Sequence, residues 1–193
     1  MLRALGVIPA RFASTRFPGK PLAPLGNGSL LSAVWTAAHA SSRLTRVIVA
    51  TEDQRIVDAC RGYGAESMLT SPDHVSGTDR AAEVVRRAGE EFAVVVNIQG
   101  DEPFVTPACL DLLVAAFDGR PGLQMATLAE PLEDPEDLFD PGAVKVVSGN
   151  DGMALYFSRA PIPFHRGRAT TLRADFRDQL RTRPGGRGRE AGG

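Results

Sequence analysis

The sequence predicts an α/β protein with a mainly parallel sheet that helices cover on both faces. Three observations predict this class. Short β-branched runs recur along the chain, helical patterns separate them, and the runs are nearly continuously apolar, as in strands buried on both sides. At 193 residues the chain is long enough to bury such a core.

The predicted elements follow one another in alternation. One helix is predicted to begin at Pro107, because Thr106 is a typical N-cap residue and proline is favoured in the first turn. A second helix follows the capping residues 51–53 and runs to about Tyr63, and a third spans 78–88. Strands are predicted at residues 5–8, 47–50, 65–69, 92–98, 124–129, 143–147 and 153–157.

Three cations follow the first predicted strand. Arg11, Arg16 and Lys20 are spaced through a loop of small and hydroxylated residues. In doubly wound α/β proteins the loop after the first strand holds nucleotide phosphates, and backbone N–H groups and cations together bind polyanions. A solvated surface loop is the alternative, but the position after the first strand favours a phosphate site.

An acidic pair follows the strongest predicted strand, in the run Asn97-Ile98-Gln99-Gly100-Asp101-Glu102-Pro103. Ligands of open α/β sheets bind beyond the carboxyl ends of strands, and Mg²⁺ takes one or two carboxylates together with phosphate oxygens. Asp101 is therefore the candidate metal ligand. Helix capping, the alternative for such an acid, suits Glu102 better because it is nearer Thr106.

The run from Asp73 to Arg80 leads from a loop into a helix and concentrates small polar groups at the helix start. A base or ribose could contact backbone N–H groups there. Ordinary capping by Thr78, with Asp79 favourable to the helix dipole, is compatible with that role. His74 has no cysteine or carboxylate partner at metal spacing, which argues against zinc.

Two further cations stand in apolar surroundings. Arg159 ends an apolar run and could clamp a substrate carboxylate or form a structural ion pair. Lys145 lies between valines, where a lysine requires an anionic partner: a substrate, a phosphate or a structural acid.

Composition excludes several classes of function. The formal net charge of −1 argues against nucleic-acid binding, and no apolar run is long enough to span a membrane. Cys60 and Cys109 form no CxxC pair and are expected to be buried free thiols, which fits a reducing compartment. With no leader peptide visible, a cytoplasmic protein is expected.

Seven motifs together resemble the bacterial CMP-Kdo synthetases, the 3-deoxy-manno-octulosonate cytidylyltransferases. The motifs occur in family order over about residues 4 to 165. They are the runs 8–22, 49–51, 74–80, 96–103, 125–128, 143–147 and 154–160. The resemblance implies a Rossmann-like nucleotidyltransferase fold and the transfer of a cytidylyl group from CTP to the acidic sugar Kdo, with Mg²⁺ as cofactor and pyrophosphate as second product. The product would serve lipopolysaccharide biosynthesis.

The resemblance also implies roles for individual residues. Arg11, Lys20 and Asp101 would be catalytic, with Asp101 as the metal ligand. Gln99 and Arg159 would lie toward the sugar. The residues implied to bind CTP are Pro9, Ala10, Arg11, Ser14, Arg16, Lys20, Ser76, Gly77 and Arg80.

The chain departs from the family pattern after the last of these motifs. Family members are longer, with a segment that lines the sugar pocket and dimer interface and a later motif that carries a second magnesium-binding aspartate; neither motif is found here. The predicted organisation is a cytidylyltransferase domain at 1–165 and a divergent, disordered Arg/Gly-rich tail at 166–193, where eight arginines face three acids. A C-terminal truncation is the hypothesis, which leaves an inactive CTP-binding fragment as the alternative function. Family members are commonly homodimers, but the absent segment argues against a dimer here.

Overall fold

The computed structural model describes residues 2–13 and 17–162. Its elements fall into two units, residues 1–128 and residues 129–193. In chain order the strands and α-helices are β1 (Ala4–Pro9), β2 (Pro24–Leu25), β3 (Gly28–Ser29), α1 (Leu30–His39), β4 (Arg46–Thr51), α2 (Gln54–Gly62), β5 (Ser67–Leu69), α3 (Gly77–Arg87), β6 (Val94–Asn97), α4 (Pro107–Ala115), β7 (Lys145–Ser148) and β8 (Ala154–Ser158). Two 3₁₀ helices span Lys20–Leu22 and Pro135–Leu138.

The first unit is built on a four-stranded sheet in the order β5-β4-β1-β6. All three strand pairings are parallel, with Val7 of β1 opposite both Ile48 of β4 and Asn97 of β6. From β1 the chain adds β4 and β5 on one side and then returns to place β6 on the other. The strand order therefore reverses between β1 and β6, which is where open α/β sheets bind ligands.

The two faces of this sheet carry separate apolar clusters. Ile8, Val49 and Val96 point to one face and pack with α1, α2 and α4. Val7 and Ile48 point to the other face and pack against α3. This alternation follows from the two-residue period of a strand, and it confirms the predicted mainly parallel sheet with helices on both faces.

The second unit contains the antiparallel pair β7–β8. The two strands confirm the last two predicted ones within a residue or two. The strand predicted at 124–129 is wrong, because this segment has no regular structure and Met125 is 83% exposed. An extended segment becomes a strand only when a neighbour takes up its backbone hydrogen bonds, and the described residues supply none here.

Helix α1 was not anticipated, although its sequence carries a start signal. The Ser29 hydroxyl accepts from Ser32 N–H at 3.2 Å and the Ser32 hydroxyl accepts from Ser29 N–H at 2.8 Å, a reciprocal capping box. Among the described residues, no helix has the length and apolar character needed to cross a membrane. The tail predicted from residue 166 lies outside the described residues.

Candidate functional site

A cleft of about 490 Å³ opens where β1 and β6 end. Its position at the reversal of strand order is the one expected of a ligand site. Seven of the residues singled out from the sequence line it. The lining consists of Pro9, Ala10, Arg11, Ala13, Lys20, Pro21, Gly77, Gln99, Gly100 and Asp101.

Two glycines allow the walls of the cleft to approach closely. A Cβ on Gly100 would lie 2.7 Å from the carbonyl oxygen of Pro9, so the end of β1 and the turn after β6 touch through backbone alone. A Cβ on Gly77 would lie 3.3 Å from two side-chain carbons of Pro9. At Gly77 and Gly100 the lining therefore presents backbone without a side chain, which a ligand can approach closely.

Lys20 and Asp101 face each other across the cleft. The Lys20 Nζ donates to Asp101 Oδ2 at 2.7 Å, and the two side chains are 40% and 56% exposed. An ion pair this open to solvent contributes at most about 1 kcal/mol to stability. The pair is thus better suited to exchange partners with an incoming anion and cation than to hold the fold together.

Arg11 crosses the mouth of the cleft to the loop before α3, where its Nη2 donates to the backbone carbonyl of His74. That loop is held in turn by Glu83, whose Oε2 lies 2.5 Å from His74 Nε2. Hydrogen bonds from His74 first, then from Ser71 N–H and Arg87, lower the pKa of Glu83 to about 2. His74 therefore does have a carboxylate partner, nine residues along the chain. The folded loop joins residues that their spacing did not connect.

The start of α3 differs in detail from the predicted one. The cap is Ser76, whose hydroxyl accepts from Asp79 N–H at 3.1 Å while Asp79 Oδ2 accepts from Ser76 N–H at 3.1 Å. Capping by Thr78 is wrong, since the helix begins at Gly77 and Thr78 is already inside the first turn. The Ser76 hydroxyl also donates to Asp79 Oδ2 at 2.7 Å, and this hydrogen bond, with the one from Ser76 N–H, lowers the pKa of the Asp79 carboxyl.

Arg80, predicted to contact CTP, is fully buried and is not among the residues that line the cleft. Its Nη1 donates to Thr70 Oγ1, and its Nη2 lies 2.9 Å from Glu52 Oε2. Burial lowers the pKa of this guanidinium, and the Glu52 carboxylate opposes that effect. Arg80 Nε and Nη2 have no hydrogen-bond acceptor of good geometry among the described residues. The cation is therefore held mainly by the charge of Glu52.

Glu52 also contacts the loop after β1, because its Oε1 accepts from Phe12 N–H at 3.1 Å. From the sequence, Glu52 was predicted only to help cap the following helix. A usable signal was present, since Glu52 directly follows β4 and so lies at the same edge of the sheet as Arg11 and Gln99.

Two predicted cationic sites lie in the second unit. Lys145 is buried, and its Nζ donates to three backbone carbonyls, those of Asp140, Ala143 and Arg159, at 2.8, 2.6 and 2.9 Å. The expected anionic partner is replaced by these carbonyl dipoles. Arg159 Nη1 donates to the carbonyl of Pro141 at 2.7 Å.

The remaining sequence predictions are distributed as follows. Ser14 and Arg16, predicted to bind CTP, lie outside the described residues. Cys60 is a buried free thiol, as expected, and burial raises its pKa. Cys109 is also a free thiol, but it is only partly buried.

The carboxylate available for a metal in the cleft is that of Asp101. In the described part of the chain, no group of three or more His, Cys, Asp or Glu side chains could hold an ion. Mg²⁺ accepts such a sparse protein set, since it usually keeps several waters and uses one or two carboxylates with substrate phosphates. Asp101 beside a cationic loop fits that requirement.

Comparison with known proteins agrees with this geometry. The family model described as Cytidylyltransferase matches residues 5–186. The 3-deoxy-manno-octulosonate cytidylyltransferases of Pseudomonas fluorescens and Solibacter usitatus are 53% and 48% identical over 83% and 86% of the chain. The chain spans 63% and 66% of the lengths of these two relatives.

Solved structures show the same similarity. The structure of CMP:2-keto-3-deoxy-manno-octonic acid synthetase complexed with CTP has a TM-score of 0.78 and 36% identity, covering 86% of this chain and 67% of that one. A Leptospira borgpetersenii cytidylyltransferase, at 24% identity and a TM-score of 0.56 over 63% of this chain and 51% of its own, shares the fold. The predicted Rossmann-like nucleotidyltransferase fold is confirmed.

Proposed function

The chain belongs to the cytidylyltransferase family, and from this premise we propose that it transfers the cytidylyl group of CTP to Kdo. The anomeric hydroxyl of the sugar would attack the α-phosphorus of CTP and release its proton to solvent. The bond from that phosphorus to the oxygen bridging to the β-phosphate would break, and pyrophosphate would leave. CMP-Kdo, the product, would serve lipopolysaccharide biosynthesis.

The observation that carries the proposal is the pairing of Lys20 with Asp101 across a cleft at the β1–β6 switch point. Pyrophosphate gains negative charge as it leaves, and a cation already fixed nearby stabilises that charge. Arg11 and Lys20 would hold the triphosphate together with Ser14 and Arg16.

The remaining predicted site residues would orient the two substrates. Pro9, Ala10 and Gly77 line the cleft and would contact the nucleotide, and Ser76 caps the helix that begins at Gly77. Gln99 would contact the sugar or the ribose. Arg159 is proposed for the sugar carboxylate, and Arg80 would support the CTP site indirectly, through its ion pair with Glu52.

Mg²⁺ is the proposed cofactor, with Asp101 as its protein ligand. When bound, the ion supplies Lewis-acid chemistry that polarises phosphoryl oxygens and lowers the pKa of a nearby hydroxyl. The protein's part is to keep a carboxylate exposed beside the triphosphate-binding cations, as Asp101 is.

Pyrophosphate release by the purified chain with CTP, Kdo and Mg²⁺, each omitted in turn, tests the proposal. Release that requires all three is the expected result. In Lys20→Met the rate should fall by about 10²–10³-fold, the usual effect of removing one charge-stabilising group. Arg61→Met is the matched control, since Arg61 is also an exposed cation, paired with Asp58 on α2.

If the folded chain releases no pyrophosphate with CTP, Kdo and Mg²⁺, the proposed transfer is contradicted. Calorimetry with CTP and Mg²⁺ then separates two cases. CTP binding without pyrophosphate release would identify the chain as a CTP-binding protein. If neither binding nor release is observed, the cleft is not a CTP site.

A further inference from the structure

Glu52 stands between the cleft and the buried side of the sheet. Its side chain is only 16% exposed, and each carboxylate oxygen has a different partner. Oε1 accepts from the backbone N–H of Phe12 at 3.1 Å, and Oε2 lies 2.9 Å from Arg80 Nη2. A hydrogen bond on one side and an ion pair on the other therefore hold this carboxylate between the loop after β1 and α3.

The partner of Glu52 on the buried side, Arg80, is itself hydrogen-bonded to the end of the sheet. Arg80 is fully buried within α3, and its Nη1 donates to Thr70 Oγ1. Thr70 is fastened to the end of β4, because both its N–H and its hydroxyl donate to the carbonyl of Thr51, at 2.8 and 3.1 Å. Glu52 is therefore attached to a helix and to a sheet edge at once.

The partner on the cleft side is the base of the cationic loop. Phe12 directly follows Arg11, and its carbonyl accepts from Gly19 N–H at 2.9 Å. The Arg55 guanidinium lies 3.4 Å from the centre of the Phe12 ring. Gly19 has a positive φ of 73° and packs so closely that a Cβ would lie 3.1 Å from Phe12 Cζ.

Phe12 thus connects the two cationic positions that face the cleft. Arg11 precedes it in the chain, and Lys20 follows the glycine that it binds. A hydrogen bond that holds the Phe12 N–H therefore holds both the start of the loop, at Arg11, and its end, at Lys20. We propose that Glu52 is a positioning residue that sets where Arg11 and Lys20 meet the triphosphate, an inference that rests on the proposed function.

The charges in this region support the same assignment. Arg11 and Arg80 are near enough that the positive charge of Arg11 contributes to lowering the pKa of Arg80. Glu52 is the carboxylate that touches both the Arg80 guanidinium and the segment carrying Arg11. It compensates the buried cation, while Arg11 lines the cleft and donates to the carbonyl of His74.

Two variants separate positioning from simple stabilisation. Glu52→Gln and Glu52→Met both remove the charge opposite Arg80, and both keep an unbranched side chain of similar length. Only glutamine retains an oxygen that can accept from Phe12 N–H. If Glu52 only balances the charge of Arg80, the two variants should behave alike. If Glu52 positions the loop, Glu52→Gln should keep the protection of the Phe12 N–H and the CTP affinity that Glu52→Met loses.

The first measurement needs no ligand. Hydrogen exchange of the peptide covering residues 10–20 should show the Phe12 N–H protected in the wild type and in Glu52→Gln, and exchanging faster in Glu52→Met. The second measurement is the Kd for CTP with Mg²⁺, expected to be about 10-fold weaker in Glu52→Met than in Glu52→Gln, since an unmade buried hydrogen bond has an effect of this order. Glu66→Gln, which breaks an ion pair with Arg46, is the control and should match the wild type in both.

The outcomes are distinct. Equal exchange in the two Glu52 variants overturns the inference, whatever CTP does. A difference in exchange with equal CTP affinity also overturns it, because the loop position would then not matter to the nucleotide. If the wild type itself binds no CTP, the proposed function fails, and with it the functional half of the inference, while the exchange difference still decides whether Glu52 holds the loop.

Discussion

Adding a single methyl group at Gly100 should push apart the two walls of the cleft. In Gly100→Ala the new Cβ would lie 2.7 Å from the carbonyl oxygen of Pro9. Ordinary contacts begin at 3.4 Å, and the atom in the way is backbone, so no side chain can rotate to relieve the clash. The turn after β6 must move away from the end of β1.

The size of the effect follows from that displacement. Overpacking by one methyl group in a tight site costs about 1–3 kcal/mol of folding free energy. The displaced turn carries Gln99 and Asp101, and the 2.7 Å contact between Asp101 and Lys20 depends on its position. A shift of about 1 Å in a reactive geometry can lower a rate by about 10²-fold.

Urea unfolding and pyrophosphate release together measure the two effects. Gly62→Ala is the matched control: Gly62 is the last residue of α2, and among the described residues no heavy atom lies within 4 Å of the added Cβ. That substitution should stabilise the protein by up to about 1 kcal/mol, because alanine loses less backbone entropy than glycine. If Gly100→Ala unfolds and reacts like Gly62→Ala, the close approach of β1 and β6 does not shape the cleft.

Three further predictions concern charged groups. Asp101→Asn should raise the Mg²⁺ concentration for half-maximal pyrophosphate release by about 10-fold yet change the unfolding free energy by under about 1 kcal/mol, because its ion pair is exposed; a large loss of stability with unchanged Mg²⁺ dependence would contradict it. Folding lowers the pKa of Glu83 from 4.5 to about 2, so its stabilising contribution is present above pH 4.5 and is lost as the pH falls toward 2. The gap in unfolding free energy between wild type and Glu83→Gln should therefore narrow over that window, and a constant gap would refute it. Lys145→Met leaves three carbonyls without their donor, so the local stability should fall by about 1–3 kcal/mol and hydrogen exchange in residues 140–159 should become faster. Unchanged exchange would show that the carbonyls find other donors.

Local patterns were enough to predict most of the first unit. The helix at 107–115 begins at the predicted residue because a threonine cap and a proline act within one turn. Helix α1 could have been found in the same way, since Leu31, Val34 and Ala38 have helical spacing and are buried. The strand expected at 124–129 could not be judged locally, because a strand exists only where another strand pairs with it.

The cleft was predictable because it follows from a rule about chain direction. Parallel strands end at a common edge, so the residues that follow β1 and β6 lie at the same edge, and Arg11 and Asp101 both line the cleft. The hydrogen bond from Phe12 to Glu52 was not predictable from the residues alone. A glutamate before a helix is usually a solvated or capping residue, and only the packing of the loop brings its carboxylate to a backbone N–H.

Arg80 shows what decides the role of a charged residue in this fold. Arg80 and Lys20 were both predicted to bind CTP, because both are cations in runs that resemble nucleotide-binding motifs. The sequence gives the type of each residue, but it does not show which side chain is exposed. Lys20 is 40% exposed and can exchange its partner, whereas the side chain of Arg80 is 0% exposed and keeps Glu52 as its counter-charge. Substituting an exposed cation should therefore lower activity and spare stability, but removing a buried one leaves a carboxylate uncompensated and should lower both. Comparing unfolding and pyrophosphate release in Lys20→Met and Arg80→Met separates the two roles, and equal loss of stability in the two variants would refute the distinction.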